Sequence, residues 1–301
     1  MKISVTIPSF KSRYLDEAIK SVTNQTWQDW ELIIVDDYSP ENLKSIVDQY
    51  INDPRIHYYR NDKNCGIIDV VDNWNICLSH CNGDYVICIG DDDRLLPCCL
   101  EEYQKLAKKF PDLNIYHART QIIDEEGRII GYQEERPLYE TCEEMLFRQW
   151  KEDRKQFIGD FMISRKWLNK NGGYIKFPLA YSSDWATANL AAKEKGIANG
   201  QTVMFEYRDN QYTISRSQNL KIAVKACSSS QRWYSKTFYG MLPPFFHTYF
   251  RKKMTDMIYL DVKQNQFAST YYWFTHRKYI GLSIIKLLNV CMRGILSSFR
   301  N

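Results

Sequence analysis

The sequence predicts an α/β fold, with a mostly parallel sheet flanked by helices and a helical C-terminal extension. Along residues 1–110, short apolar runs alternate with segments of helical periodicity. This alternation is typical of βαβ units, whose strands pair in parallel and whose helices cover the faces of the sheet. From about residue 219 the strand patterns stop, and the chain becomes rich in aromatic and basic residues in a helical pattern. We therefore expect an α/β domain over residues 1–218 and a helical region over 219–301.

Length, charge and cysteine usage limit the classes of protein that the chain can represent. At 301 residues it is long enough for one large domain with an appendage. A formal net charge of +4 is too small to predict a nucleic-acid partner. The nine cysteines lie in apolar or helical patterns without metal-ligand spacing, and the N-terminus begins directly with a strand pattern. We expect reduced thiols, no signal peptide and a cytoplasmic location.

The apolar periodicity and the turn residues predict the boundaries of the individual elements. The predicted strands are 3–7, 30–35, 55–60, 85–89, 115–117, 120–124, 128–131, 157–163 and 202–208. The predicted helices of the first part are 14–25, 41–51, 69–80, 97–110, 165–169 and 184–195.

Carboxylates follow two of the predicted strands. Asp36 and Asp37 end the second strand, and Asp91, Asp92 and Asp93 follow the fourth. Because ligands bind at the carboxyl ends of the strands in such sheets, we expect the two groups to share a site. A divalent cation would neutralise three adjacent carboxylates. These residues alone are equally compatible with a solvated acidic turn before a helix.

A further carboxylate, Asp184, lies at the start of the predicted helix 184–195. Ser182 and Ser183 are both suitable N-cap residues, and the helix dipole favours a carboxylate in the first turn. Local helix stability is therefore a sufficient reason for an acid at this position.

Taken in order, the motifs resemble the family 2 inverting glycosyltransferases, which have the GT-A fold. The matching pieces are Ser4–Phe10, Gln25–Ser39, Asn64-Cys65-Gly66, Gly83-Asp84-Tyr85, Gly90-Asp91-Asp92-Asp93 and Gly172-Gly173 followed by Ser183-Asp184-Trp185. The resemblance covers about residues 1–215. Any single piece is weak, whereas the ordered set is specific to the family.

The resemblance implies a nucleotide-binding role for seven residues: Pro8, Ser9, Phe10, Asp36, Asp37, Asp91 and Arg208. By this resemblance Asp37 contacts the base of the nucleotide, and Asp36 supports the turn. Asp91 lies near the ribose, and Arg208 lies near the diphosphate.

The resemblance also implies a metal site and a catalytic base. Asp92 ligates the metal, joined by Asp91 or, as an open alternative, by Asp93, and Asp184 is the general base. Two positions depart from the family pattern. Gly90 replaces the first Asp of the usual DxD motif, and Ser183 replaces the usual Glu before the catalytic Asp.

The function implied by the resemblance is transfer of a sugar, with inversion, from a nucleotide sugar to a hydroxyl group. The donor is a UDP-sugar, the cofactor is Mn²⁺ or Mg²⁺, and the acceptor is a saccharide or lipid-linked glycan in bacterial surface polysaccharide synthesis. The alternative is a non-catalytic GT-A-like protein used for nucleotide binding or assembly. A sugar-nucleotide nucleotidyltransferase fits poorly, because Pro8-Ser9-Phe10 replaces the Gly-rich basic loop of those enzymes.

The last segment, 277–301, contains five Lys or Arg residues and no acidic residue. Lys286, Asn289 and Arg293 form a narrow polar stripe on an otherwise apolar helix. This pattern is typical of a helix in a membrane interface, which would make the protein peripheral on the inner face of the cytoplasmic membrane. A helix docked on its own domain and a homodimer contact are equally compatible with it.

Overall fold

The structure is a computed structural model that describes residues 1–66, 69–210, 220–238, 240–241, 244–277 and 282–299. The chain divides into two units. One comprises Met1–Lys176 with Ser183–Thr213, and the other comprises Phe177–Ser182 with Ile214–Asn301. The predicted domain boundary at 218/219 falls in 211–219, outside the described residues, and stays a prediction.

The first unit contains one large sheet with helices packed on it. Its strands are β1 (Ile3–Ser9), β2 (Trp30–Asp36), β3 (Ile56–Arg60), β4 (Tyr85–Cys88), β5 (Arg94–Leu95), β6 (Ile115–Ile123), β7 (Ile129–Tyr132), β8 (Tyr139–Glu140), β9 (Phe161–Ser164) and β10 (Ile197–Arg208). Its helices are α1 (Leu15–Thr23), α2 (Lys44–Val47), α3 (Val70–Ser79), α4 (Cys99–Lys109), α5 (Cys142–Lys151), α6 (Arg165–Lys170) and α7 (Ser183–Ala192).

The strand order is β3-β2-β1-β4-β9-β6-β10-β5, with β7 beside β6 and β8 beside β10. The pairs β3–β2, β2–β1, β1–β4 and β6–β10 are parallel, and β9 is antiparallel to both of its neighbours. Every residue of β2 is buried, as expected of a central strand covered on both faces. The predicted α/β class is confirmed, with the parallel strands concentrated in the N-terminal half.

Several predicted elements differ from the structure, among them strand 202–208, which begins earlier, at Ile197. Helix 41–51 is reduced to the four residues of α2, which has no side-chain N-cap. The strands predicted at 115–117 and 120–124 form one strand, β6, because Ala118 between them is fully buried and the strand pairs with β9 and β10. The strand predicted at 157–163 begins only at Phe161. Residues 158–160 form a 3₁₀ turn, in which the Asp160 carboxylate accepts a hydrogen bond from the Phe157 amide at 2.7 Å.

The second unit is helical, which confirms the predicted helical extension. Its helices are α8 (Leu220–Thr237), α9 (Pro244–Thr275, with non-helical backbone at Gln266) and α10 (Ile284–Ser298). Its core is apolar and includes Val224, Met254, Ile258, Val262, Trp273, Leu287 and Val290. Within the described residues, none of the helices combines the length and the apolar character needed to cross a membrane.

Candidate active site at the carboxyl edge of the sheet

The loops that follow β1, β2 and β4 are tied together by hydrogen bonds at one edge of the sheet. The Asp91 carboxylate accepts from the backbone N–H groups of Phe10 and Lys11, both at 2.7 Å. The Ser39 hydroxyl donates to the Phe10 carbonyl at 2.6 Å. The Asp37 N–H donates to the Ser9 carbonyl at 2.8 Å. The two acidic strand ends that the sequence predicts to be neighbours therefore meet through the loop after β1.

The end of β10 joins this site through Asp92 and Asp93. The Asn210 side-chain amide donates to Asp92 Oδ2 at 2.6 Å. The backbone N–H of Arg208 donates to Asp93 Oδ1 at 3.0 Å, and the backbone N–H of Gly90 donates to Asp93 Oδ2 at 3.2 Å. Asp91 and Asp92 are half-buried, whereas Asp93 is only 4% exposed. Asp93 thus serves the internal structure of the turn, and Asp91 and Asp92 retain access to solvent.

Burial and mutual repulsion make the three carboxylates difficult to ionise together. Burial, reinforced by the charge of Asp92, raises the pKa of Asp91 to about 6. Burial raises the pKa of Asp92, and burial with the Asp92 charge raises the pKa of Asp93 well above its usual value. The positive charge of Lys11 acts in the opposite direction on Asp91 and Asp92. Such a site gains stability from any cation that approaches it.

Two carboxylates approach the backbone closely at Gly90. A Cβ atom at this position would lie 2.7 Å from Asp92 Oδ1 and 2.9 Å from Asp93 Oδ2. A larger residue at position 90 would require these two carboxylate groups, which end flexible side chains, to shift.

The carboxylates after β4 suit a hard divalent cation that is held jointly by the protein and a substrate. Among the described residues, no group of three or more His, Cys, Asp or Glu side chains could hold a metal ion. Mg²⁺, however, is usually bound through one or two carboxylates plus substrate phosphates and water. Asp92 and Asp91 supply that number of carboxylates, and their raised pKa values mark them as incompletely compensated charges.

Arg208 is a buried residue that holds the site together. Only 1% of its surface is exposed, and its guanidinium group stacks on the ring of Tyr14 at 4.1 Å. The guanidinium donates to the Asp92 carbonyl at 2.9 Å and to the Glu17 carboxylate at 2.7 Å. It also donates to the carbonyls of Asp124 and Glu125, at 3.2 and 3.0 Å. These contacts are all internal to the protein, and the predicted diphosphate contact stays a prediction.

Replacing Arg208 with Met is expected to destabilise the protein, because it leaves several backbone carbonyls and the Glu17 carboxylate without their donor. We expect the free energy of unfolding to fall by roughly 3 kcal/mol. Urea unfolding followed by circular dichroism measures this loss. The matched control is Arg128→Met, since the Arg128 side chain is 73% exposed and is expected to contribute almost nothing. Equal stability of the two variants would contradict the role given to Arg208.

The two acids at the end of β2, Asp36 and Asp37, accept hydrogen bonds from neighbouring loops and from β3. Asp36 is fully buried and accepts from the Ser39 N–H and the Tyr58 hydroxyl, both at 2.7 Å, and it pairs with Arg60. It therefore fixes the turn after β2, and its predicted role in nucleotide binding stays a prediction.

The Asp37 carboxylate accepts three hydrogen bonds at 2.8 Å, from the Asn61 side chain and the backbone N–H groups of Cys65 and Gly66. Asp37 is only 3% exposed. Its predicted contact with a nucleotide base stays a prediction, as do those of Pro8, Ser9 and Phe10. Of these three, only Phe10 is well exposed, at 40%.

Asp184 lies in the first turn of α7, as predicted, and is half-buried. Burial raises the pKa of its carboxyl group to about 6, against the opposing effect of hydrogen bonds from the backbone N–H groups of Asp184 and Trp185. Among the described residues no hydrogen bond or ion pair links it to Asp91, Asp92 or Asp93.

The segment before Asp184 has unusual backbone geometry. Leu179, Ala180 and Ser182 have φ angles of 60°, 52° and 63°, in the left-handed region that non-glycine residues rarely adopt. Such strain is concentrated at functional sites in proteins. The three residues belong to the helical unit, whereas Asp184 belongs to the unit with the sheet.

Three residues of the site were missed by the sequence analysis. Asn210 follows the predicted strand 202–208, so the criterion that found the acids, polar residues after a strand, would have found it too. Lys11 follows β1 and could have been noted as a cation in a strand-end loop. No local sequence pattern indicates Glu17, because its contact with Arg208 joins residues 191 positions apart in the chain.

A sequence model of the family described as Glycosyl transferase family 2 matches residues 4–173, which is more than half of the chain. The chain therefore belongs to glycosyl transferase family 2, and the family predicted from the ordered motifs is confirmed. The matched region includes the acids after β2 and β4 and ends before Asp184 and Arg208.

Curated relatives resemble only part of the chain. The putative colanic acid biosynthesis glycosyl transferase WcaA of Escherichia coli K12 is 43% identical over 98 residues, which cover 32% of this chain and 34% of that protein. The GalNAc(5)-diNAcBac-PP-undecaprenol beta-1,3-glucosyltransferase of Campylobacter jejuni is 34% identical over 110 residues, which cover 36% and 35%. The chain thus spans about a third of the length of each relative.

Crystal structures of S. aureus TarS 1–349 share the fold of the whole chain. The complex with UDP-GlcNAc has a TM-score of 0.61 at 14% identity, covering 100% of this chain and 90% of that chain. The complex with UDP has a TM-score of 0.56 at 15% identity, covering 100% and 89%. At such low identity the likeness shows the fold alone, and it confirms the predicted GT-A class.

Proposed function

We propose that this family 2 glycosyl transferase is a metal-dependent, inverting enzyme that transfers a sugar from a UDP-sugar to a hydroxyl group. The observation that carries the proposal is the acidic site after β4. Asp91 and Asp92 are half-buried carboxylates with raised pKa values, held at the carboxyl edge of the sheet by the ends of β1 and β10. This is where a nucleotide and its metal bind in open α/β sheets.

The cation would be Mn²⁺ or Mg²⁺, held by Asp92 with Asp91 beside it. When bound, such a cation offsets the negative charge that develops on the leaving diphosphate. The protein itself contributes the position of the two carboxylates. Asn210 fixes one oxygen of Asp92, Arg208 fixes its backbone carbonyl, and the Phe10 and Lys11 amides fix Asp91.

Asp184 would act as the general base in a single in-line displacement. The acceptor oxygen forms its bond to the anomeric carbon as the bond from that carbon to the diphosphate oxygen breaks, and Asp184 takes the proton of the acceptor hydroxyl. One displacement inverts the configuration of the anomeric carbon. A carboxyl pKa of about 6, raised by burial, makes Asp184 a stronger base than an exposed aspartate.

The donor and acceptor classes are proposed from the names of related proteins. The TarS complexes contain UDP-GlcNAc and UDP, which supports a UDP-sugar donor. The names of the relatives refer to colanic acid biosynthesis and to an undecaprenol-linked glycan, which supports a saccharide or lipid-linked acceptor in surface polysaccharide synthesis. The cytoplasmic location expected from the sequence is part of the same proposal.

Metal-dependent binding of UDP is the direct test of the proposed donor site. Isothermal titration of the protein with UDP is expected to show at least tenfold tighter binding with Mn²⁺ than with EDTA. Titration with CDP, which changes the base and keeps the diphosphate, is the control for base recognition. UDP binding that Mn²⁺ does not change would overturn the proposed metal site. Metal-dependent binding without turnover of any UDP-sugar would favour the non-catalytic alternative.

A further inference from the structure

Helix α10 has one apolar face that is buried and another that is exposed. The first is buried and contains Leu287, Val290 and Cys291, which join the core of the helical unit with Val262 of α9. A Cβ atom at Gly294 would lie 2.8 Å from Val262 Cγ1, so glycine allows the two helices to approach closely. The helix is therefore docked on its own unit, which was one of the arrangements that the sequence left open.

The second apolar face of α10 is exposed. Its members and their exposed fractions are Ile284 (51%), Ile285 (79%), Leu288 (45%), Met292 (56%), Leu296 (62%) and Phe299 (70%). At 3.6 residues per turn, these side chains fall within one sector of about 120° around the helix axis. We call this set the exposed stripe. Scattered exposed apolar residues are ordinary, but a contiguous stripe of this length marks an interaction surface.

Cationic side chains border the exposed stripe. Lys286 and Arg293 are exposed and lie on the neighbouring sector of the helix together with Asn289. The helix carries no acidic residue, and neither does the rest of the segment 277–301. An apolar face beside a cationic border is the arrangement that binds the interface of an anionic bilayer.

We propose that α10 docks the protein on an anionic membrane surface, with the exposed stripe in the headgroup region and Lys286 and Arg293 beside the lipid phosphates. The charges beside the exposed stripe favour an anionic membrane over a second copy of the chain as its binding partner. A symmetric contact through the stripe would bring the cationic borders of two helices together with no acid on either helix to pair with them. The inference stands apart from the transfer reaction, because vesicle binding is measured without a sugar nucleotide.

The test is flotation of the full chain with vesicles of phosphatidylcholine alone and of phosphatidylcholine mixed equally with phosphatidylglycerol. We expect clear binding to the mixed vesicles and little binding to phosphatidylcholine. The variant Ile285→Gln/Met292→Gln/Leu296→Gln is expected to lose binding to mixed vesicles at least tenfold. The variant Lys286→Gln/Arg293→Gln is expected to lose roughly tenfold or more of it. All five side chains are exposed, so the thermal midpoint should stay unchanged.

The matched control is Ile129→Gln/Ile130→Gln on β7, where the two side chains are 49% and 56% exposed. This variant should bind mixed vesicles like the wild type. Equal losses in the control and the α10 variants, or equal binding of the wild type to both kinds of vesicle, would overturn the proposal. A wild-type dimer that floats with neither vesicle, and that the triple variant converts to a monomer in light scattering, would also overturn it and assign the stripe to a second copy.

Discussion

The variant Asp184→Asn is expected to transfer sugar about 10²–10⁴-fold more slowly than the wild type, because an amide cannot accept the proton of the acceptor hydroxyl. The measurement is turnover of a panel of UDP-sugars with a glycan acceptor, or their hydrolysis where no acceptor is known. UDP affinity in the presence of Mn²⁺ should stay unchanged, since the proposed base does not hold the nucleotide. Glu194→Gln, which alters an exposed carboxylate just beyond α7, is the matched control.

The pH dependence of the reaction is expected to report the buried acids of the site, Asp184 together with Asp91, whose pKa is also raised to about 6. Asp184 must be ionised to act as a base, and burial raises its pKa to about 6. The value of kcat/KM should therefore fall as the pH is lowered through about 6 and reach a plateau above pH 7.

Stability should change in the opposite sense from activity. Burial disfavours the charged form of Asp184, so the neutral Asn should leave the thermal midpoint at pH 7 unchanged or higher. A variant with wild-type turnover would remove Asp184 from its role. A variant that is inactive because it is unfolded would be recognised by its lowered thermal midpoint.

The strands and helices that have a clear local sequence pattern were predicted from the sequence. The alternation of strands and helices in the first 110 residues predicted the order of β1 to β4, because buried central strands are recognisable as apolar runs. Helix 41–51 was overestimated, because helical spacing of apolar residues does not report the missing cap at its N-terminus. β6 was divided in two, because Ala118, a weak strand former, and the charged Arg119 interrupt the apolar run.

The candidate site was predictable in position but not in internal detail. The rule that polar residues collect at the carboxyl ends of strands located Asp36, Asp37 and the acids after β4. The positioning role of Arg208 depends on packing between β10, α1 and the turn after β6, which no local pattern encodes. The same is true of the close approach of the Asp92 and Asp93 carboxylates to Gly90, which depends on how the turn after β4 folds.

The variant Asp92→Asn is expected to abolish the metal-dependent part of UDP binding while leaving the weak metal-free binding in place. Its amide oxygen can still accept from Asn210, so the geometry of the site is kept and only the charge is lost. Isothermal titration with UDP, with Mn²⁺ and with EDTA, separates the two contributions. Asp112→Asn, at an exposed position, is the control. Persistence of the full Mn²⁺ effect in Asp92→Asn would show that another group holds the metal.

The variant Asp91→Asn should give a different signature in the same titration. Asp91 receives the N–H groups of Phe10 and Lys11 on one oxygen, so its charge also anchors the loop after β1. Weakening this charge-assisted anchor is expected to reduce UDP binding both with and without Mn²⁺.

Asp92→Asn should also relieve the repulsion that raises the pKa of Asp91 and Asp93, and the thermal midpoint at pH 7 should rise. We therefore expect Asp92→Asn to lose the metal dependence of UDP binding and to gain thermal stability. This combination is expected of a carboxylate that binds a cation and does not stabilise the fold.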